Sequence, residues 1–204
     1  MSNDYSFNVD AVKIKRKVIA PYKGEDGKPG FSINPVKGLC PMDCRDNQGK
    51  PYCYARRMYK RFKWDETIRF EAMAFNPLIG LETPSKVFVG STMELFGDWV
   101  KADEMSKIFS LVRYYNMHTF IFLTKNPAGF IPWSPFPDNC WVGVSAPSIH
   151  PYYAAMDGLA KIKAKVKFLS FEPLLESIGT PGPNFLEGIS WLICGQQTPV
   201  KAST

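Results

Sequence analysis

Apolar residues fall in short runs along the chain, and each run gives way to a polar segment. Six such runs read as strands, at 31–35, 86–90, 119–124, 140–145, 166–171 and 189–194. Several are nearly continuous in Val, Ile, Leu and Phe, as strands buried on both faces should be. Between them apolar residues recur at helical spacing. Ile68, Ala72 and Phe75 predict a helix over 65–78. Met105, Ile108, Leu111, Val112 and Tyr115 predict another over 103–115, with Asp103 as N-cap and Glu104 in its first turn. Tyr152, Met156, Leu159 and Ile162 predict a third over 151–163. The connections after the third and fifth strands are rich in Pro and Gly and read as loops. Residues 1–29 read as an N-terminal extension, with short strands around Val12, Ile14, Val18 and Ile19 and a turn tipped by Asp26-Gly27.

Strands alternating with helices imply an α/β fold with a parallel sheet. Six units are too few for an eight-fold barrel, which needs about 250 residues. A partial (β/α)6 TIM-like barrel over residues 30–204 is the expected architecture, truncated at its C-terminus, with a doubly wound open sheet as the alternative. Either arrangement gathers function beyond the C-terminal ends of the strands. There the chain places Ser91, Thr92 and Glu94 after the second strand, Lys125 after the third, and Ser145 at the end of the fourth. Ser170 and Glu172 follow in the fifth, and Gln196 and Gln197 come after the sixth. Lys125, Glu172, Gln196 and Gln197 are large enough to converge on one cavity.

The first strand runs into three cysteines, spaced Cys-x3-Cys-x8-Cys as Cys40, Cys44 and Cys53. Thiolates are soft ligands that suit iron–sulfur clusters and zinc. A structural zinc takes four ligands, and His118 and His150, the two histidines, lie far from the loop in sequence. Three thiolates on a cluster leave one iron open to a substrate or cofactor, so this loop reads as catalytic more than structural. Cys140 and Cys194 stand alone beside apolar strands.

Composition narrows the class. The 204 residues are 45% hydrophobic, 22% charged and 14% aromatic, which fits a globular chain with a well-filled core. No apolar run approaches the ~20 residues that span a bilayer, and the polar first residues do not form a signal peptide. A cytoplasmic location is expected, with no membrane partner. The net charge of +6 admits a nucleic-acid partner. Basic residues cluster at Lys13–Lys17 and from Arg56 to Lys63, the second run interleaved with Tyr59, Phe62 and Trp64. Such a run suits a nucleic-acid groove, and equally an ordinary helix with its cations outward.

The cysteine loop resembles that of the radical S-adenosylmethionine superfamily, whose loop after the first barrel strand is most often Cys-x3-Cys-x2-Cys with an aromatic residue before the last cysteine. Cys40 and Cys44 keep the first spacing, and Tyr52 precedes Cys53; the second gap is eight residues instead of two. Gly49 and Pro51 suggest a turn that brings Cys53 back into range. Residues 31–198 also resemble a narrower, phage-associated group with distant similarity to spore photoproduct lyase. The resemblance rests on 32–40, 53–55, 87–96, 122–125, 141–145, 168–175 and 191–195. That group carries a Gly-Gly-Glu-Ser-like run where this chain has Gly195-Gln-Gln-Thr198.

The resemblance implies a [4Fe–4S] cluster on Cys40, Cys44 and Cys53 that binds S-adenosyl-L-methionine and cleaves it to methionine and a 5′-deoxyadenosyl radical. An electron donor such as flavodoxin or ferredoxin would be a partner. Tyr52 would pack near the cluster and adenine. Ser91, Thr92 and Glu94 would meet the methionyl amine, Ser145 and Glu172 the ribose and carboxylate, and Lys125 the carboxylate or an anionic substrate. The substrate, nucleic acid among the candidates, and any catalytic residue stay unassigned. Two other readings remain open: a zinc- or cluster-stabilised nucleic-acid-binding module, and a different α/β enzyme using Lys125 and Glu172 as acid–base groups.

Overall fold

The computed structural model describes residues 30–179 and 182–196, with side chains up to Gly195. The N-terminal extension with its expected strands, the Lys13–Lys17 cluster, Gln197 and Thr198 lie outside the described residues. Six strands form one parallel sheet in the order β1-β4-β5-β6-β7-β8. These are β1 (Phe31–Ile33), β4 (Lys86–Val89), β5 (Thr119–Thr124), β6 (Cys140–Ser145), β7 (Val166–Leu174) and β8 (Trp191–Gln196). β1 and β8 are the edges and do not pair with each other, so the sheet does not close into a barrel. A separate antiparallel pair, β2 (Val36–Lys37) with β3 (Arg69–Phe70), brackets the cysteine loop.

Among the described residues three α-helices accompany the sheet: α1 (Tyr54–Phe62), α2 (Ala102–Tyr114) and α3 (Ile149–Ala160). The connections after β5 and β7 hold no α-helix, as their Pro and Gly content predicts. The helix expected over 65–78 is not formed. β3 occupies its start and a 3-10 helix, Ala72–Leu78, the rest. Pro77 removes a helical N–H donor there, and the chain is drawn out to pair with β2. The N-cap of α2 is Lys101 and not Asp103. Glu104 accepts the Lys101 N–H (3.1 Å), while Asp103 sits within the first turn and pairs with Lys107.

Strand alternation sorts the sheet into two faces. Phe120, Phe122, Val142, Val144, Leu169 and Phe171 are buried in one cluster with Met105, Ile108, Phe109 and Val112 of α2 and Tyr152, Ala155 and Leu159 of α3. The opposite face carries Ile121, Trp141, Gly143, Phe168 and Trp191 in register. Gly143 is required there, since a Cβ would lie 2.4 Å from the Phe168 ring. That ring also packs on Trp191, which meets Trp141 edge-on. The same parity continues to Lys125, Ser145, Ser170 and Glu172 at the C-terminal ends. This face is therefore aromatic at its floor and polar at its mouth.

His118 precedes β5 at the opposite end of the sheet from the cysteine loop, so it cannot supply a fourth ligand there. It is 1% exposed; Nδ1 accepts the Ser85 N–H (3.3 Å), and Nε2 has no partner among the described residues. Burial lowers its pKa. The unfolded chain thus takes up a proton near the ordinary value of about 6.5 that the folded chain resists. Stability present above that pH is lost as pH falls through the lowered folded value. Denaturant unfolding between pH 7.5 and 5.5 should show wild type losing up to about 1.4 kcal/mol per pH unit more than His118→Gln.

Candidate functional site

The sequence places three thiols in one loop, and the fold brings their sulfurs together. Cys44 and Cys53 flank a short hairpin. Arg45 and Pro51 bridge antiparallel, Asp46 N–H donates to Lys50 O (3.0 Å), and Tyr52 N–H donates to Cys44 O (3.1 Å). The Asp46 carboxylate accepts the amides of Gln48 and Lys50, and Gly49 takes the positive φ (75°) that the turn needs. The eight-residue gap is thereby folded out of the way, and the Cys44 thiol donates a hydrogen bond to Cys53. At the hairpin tip Asn47 donates to the Glu176 carboxylate (3.2 Å), which also accepts the N–H of Ile149 at the start of α3. Glu176 follows β7, four strand positions from β1. The hairpin therefore lies across the strand ends.

Two of the sulfurs, those of Cys40 and Cys53, sit among backbone amides. Cys40 Sγ accepts the Glu94 N–H at 3.4 Å, and the Met42 N–H also faces it, yet burial dominates and raises its pKa. Cys53 is the N-cap of α1. Its sulfur makes no full capping bond, but the Ala55 and Arg56 amides face it. The Cys44 thiol first, and those amides after burial has opposed them, draw the Cys53 pKa below the ordinary thiol value. Cys44 moves up, chiefly because it gives that hydrogen bond, while Lys125 acts in the opposite sense. Tyr52 is pushed up to about 12 by burial and by the nearby Cys44 and Cys53. Arg56 holds the loop from the other side, donating to Cys40 O at 3.0 Å.

Glu94 is the anchor of the site and is 8% exposed. Oε1 accepts Thr124 Oγ1–H (2.7 Å) and Phe96 N–H (3.1 Å), and Oε2 accepts Lys125 N–H (2.7 Å). Three donors on a buried carboxylate offset the loss of its water. Ser91 and Thr92 turn to Asn34, whose Oδ1 accepts Ser91 Oγ (3.2 Å), Thr92 N (3.0 Å) and Thr92 Oγ1 (3.0 Å). Tyr54 OH donates to Ser91 O. Lys125 Nζ donates to Ser145 Oγ at 3.0 Å, and Ser145 Oγ to the Glu172 carbonyl at 3.4 Å. The Glu172 carboxylate itself lies against Gly195, with no bond to Lys125. Gln196 ends β8 opposite Leu174. From the sequence Asn34 and Tyr54 carry no site signal, Thr124 reads only as the polar end of the third strand, and Arg56 only as part of the basic run. Asn34 is legible only as a member of the first strand run, 31–35, because its partners lie 57 and 58 residues away.

No group of three or more His, Cys, Asp or Glu side chains among the described residues is gathered tightly enough to grip a single metal ion. His150 is exposed in α3, and Cys140, buried at the start of β6, is pushed up to about 12 by burial. No helix among the described residues is long and apolar enough to cross a membrane.

The fold and site define a parallel α/β protein with a three-thiol loop at the C-terminal edge of its sheet. Residues 31–203 match the model of a family described as "Protein of unknown function (DUF5131)", and the chain belongs to that family. No curated protein and no solved structure matches the chain.

Two substitutions test this architecture. Glu94→Gln turns an acceptor into a donor facing a donor, so urea unfolding should register a loss of about 1–3 kcal/mol. Gly38 enters the loop at φ 119°, its N–H on Tyr59 OH (2.8 Å), and a Cβ would lie 2.6 Å from Ile68 Cα. Gly38→Ala should lose more than about 1 kcal/mol by the same measurement, because both φ and space oppose it.

Proposed function

We propose that the chain is a radical S-adenosylmethionine enzyme built on a partial (β/α)6 TIM-like barrel. The observation that carries the reading is the meeting of Cys40, Cys44 and Cys53 at the C-terminal mouth of a parallel sheet despite the long second gap. The donor set fits a [4Fe–4S] cluster. All three ligands are thiols, none is in a disulfide, and amides of Met42, Glu94, Ala55 and Arg56 face two of them. A single zinc would want four ligands with sulfurs at ~2.3 Å, and this loop offers three. The barrel reading rests on the two faces of the sheet: helices cover one, while the other is filled at its floor by Phe168, Trp141 and Trp191.

Cys40, Cys44 and Cys53 would hold the cluster, which would supply the electron for reductive cleavage of S-adenosylmethionine to methionine and a 5′-deoxyadenosyl radical. The chain's own residues bind, orient and exclude water. Amide N–H groups aimed at the sulfurs favour their thiolate forms. Tyr52, half-buried beside Cys44 and Cys53, walls the thiols from solvent. Lys125, held by Ser145, brings a cation to the mouth, where it complements a carboxylate. Asn34 orders Ser91 and Thr92 as hydrogen-bonding groups at the end of β4. Glu94 acts as a positioning residue. Its carboxylate is committed to Thr124, Phe96 and Lys125, and its N–H to Cys40, so it holds the loop on the sheet. The electron comes from a donor such as flavodoxin or ferredoxin, and the work is done in the reducing cytoplasm.

Anaerobic reconstitution with iron and sulfide tests the reading. About four irons per chain are expected, with visible thiolate-to-iron absorption lost in Cys40→Ala, Cys44→Ala and Cys53→Ala. With S-adenosylmethionine and dithionite the reconstituted chain should form 5′-deoxyadenosine. A chain that holds one zinc and forms none overturns it.

A further inference from the structure

We infer that the exposed face of α1 is a landing site for a single nucleic-acid strand, which it leads to the cysteine loop. α1 reads Tyr-Ala-Arg-Arg-Met-Tyr-Lys-Arg-Phe and contains no acid. Arg56 is committed to Cys40 O. Arg57, Lys60, Arg61 and, at the C-cap, Lys63 are exposed and form no ion pair among the described residues. Three surface cations elsewhere are neutralised one turn away, Arg69 by Asp65, Lys107 by Asp103, and Lys161 by Asp157, and others, such as Lys101 and Arg113, stand singly, whereas α1 with its C-cap gathers four within seven residues. On α1 the i,i+4 neighbours are Arg56 with Lys60 and Arg57 with Arg61, like charges that disfavour the helix. A solvated face has no need of that arrangement, whereas a row of phosphates relieves it.

The cations lead to an aromatic platform. Phe62 is 52% exposed and Trp64 42%, their rings stacked at 5.5 Å and 21°. The Arg61 guanidinium lies over Phe62 at 5.3 Å. Exposed rings next to unpaired cations suit unpaired bases, which present a π-face to stack; a duplex hides its bases, and an acidic peptide has no use for the rings. Trp64 is held edge-on by the buried Tyr59 (5.2 Å, 86°), whose hydroxyl accepts the Gly38 N–H at 2.8 Å. The platform is thus tied to the segment that enters the cysteine loop. Nine helical residues span about 13 Å, and Cys53 caps the other end. A strand lying on α1 therefore ends beside the thiols.

The inference deepens the radical-enzyme reading by naming a substrate class, but strand binding itself needs neither cluster nor S-adenosylmethionine. Fluorescence anisotropy of the full chain with labelled oligo-dT and oligo-U of about fifteen nucleotides, across a salt series, tests it. Wild type should bind both more tightly than a duplex of the same length. Each phosphate contact contributes about 0.7 to the salt slope of single-strand binding. Arg57→Ala/Lys60→Ala/Arg61→Ala should therefore flatten that slope by about two. Phe62→Ala should weaken binding about five-fold or more with the slope kept, and Phe62→Tyr should restore it. Lys107→Ala/Lys161→Ala, which removes paired cations, should change neither, and circular dichroism checks that each variant is folded. The inference falls if wild type does not bind, if the triple variant keeps the wild-type slope, or if polyglutamate competes equally and Phe62→Ala has no effect. Strand binding by a chain that takes up no cluster on reconstitution and forms no 5′-deoxyadenosine would sink the radical-enzyme reading alone, and a reconstituted cluster without strand binding would sink this one alone.

Discussion

Taking a carboxylate out of water is unfavourable unless donors replace the water it leaves, and Glu94 meets that condition through groups from separate parts of the chain. Thr124 ends β5 and Lys125 follows it, Phe96 lies two residues on from Glu94, and the Glu94 amide completes the set by donating to Cys40. The Trp99 indole N–H on the Glu94 carbonyl (2.9 Å) anchors the same turn from outside. The thiol loop is therefore fastened to the second and third strands of the sheet, and not only to the strand that precedes it. Everything at the mouth depends on that fastening. The positions of Cys40, of Lys125 against Ser145, and of the Ser91–Thr92 turn on Asn34 all follow from where this carboxylate settles.

The sheet supplies the second constraint. A parallel strand sends alternate side chains to opposite faces, and register aligns them with those of its neighbours. One parity meets α2 and α3 and becomes a phenylalanine-rich core, with Phe122 in ring contact with both Phe96 and Phe109. The other parity has to fill its own face. It does so with Phe168 over Gly143 and with the paired tryptophans of β6 and β8. Where the strands end, that parity turns polar, so the site is built on the rigid ends of strands and not on loops alone.

The sequence disclosed the strands well. All six lie where the apolar runs put them, although β7 reaches Leu174 and β8 begins at Trp191. The helix over 65–78 failed because periodicity there was outweighed by Pro77 and by pairing with β2. The roles expected for Ser91, Thr92 and Glu94 were drawn from position along the chain, and their hydrogen-bond partners lie elsewhere. Ser91 and Thr92 answer to Asn34, and Glu94 to Thr124, Phe96 and Lys125. Glu172 shows the same limit: its carbonyl joins the Lys125–Ser145 pair while its carboxylate turns to Gly195.

By itself the sequence determined which residues alternate, where strands end in polar groups, and that three thiols share one loop, because periodicity and spacing are local properties of the chain. Gly49 and Pro51 mark a turn in the eight-residue gap, but only the tertiary structure decided that it is a hairpin whose closure sets Cys53 beside Cys44. It also decided that the two sheet edges stay apart, and that Glu94 is an anchor buried in the site. The reason is the same in each case. A hydrogen bond between groups tens of residues apart depends on how the sheet stacks its strands, and no local pattern of residue types records that arrangement.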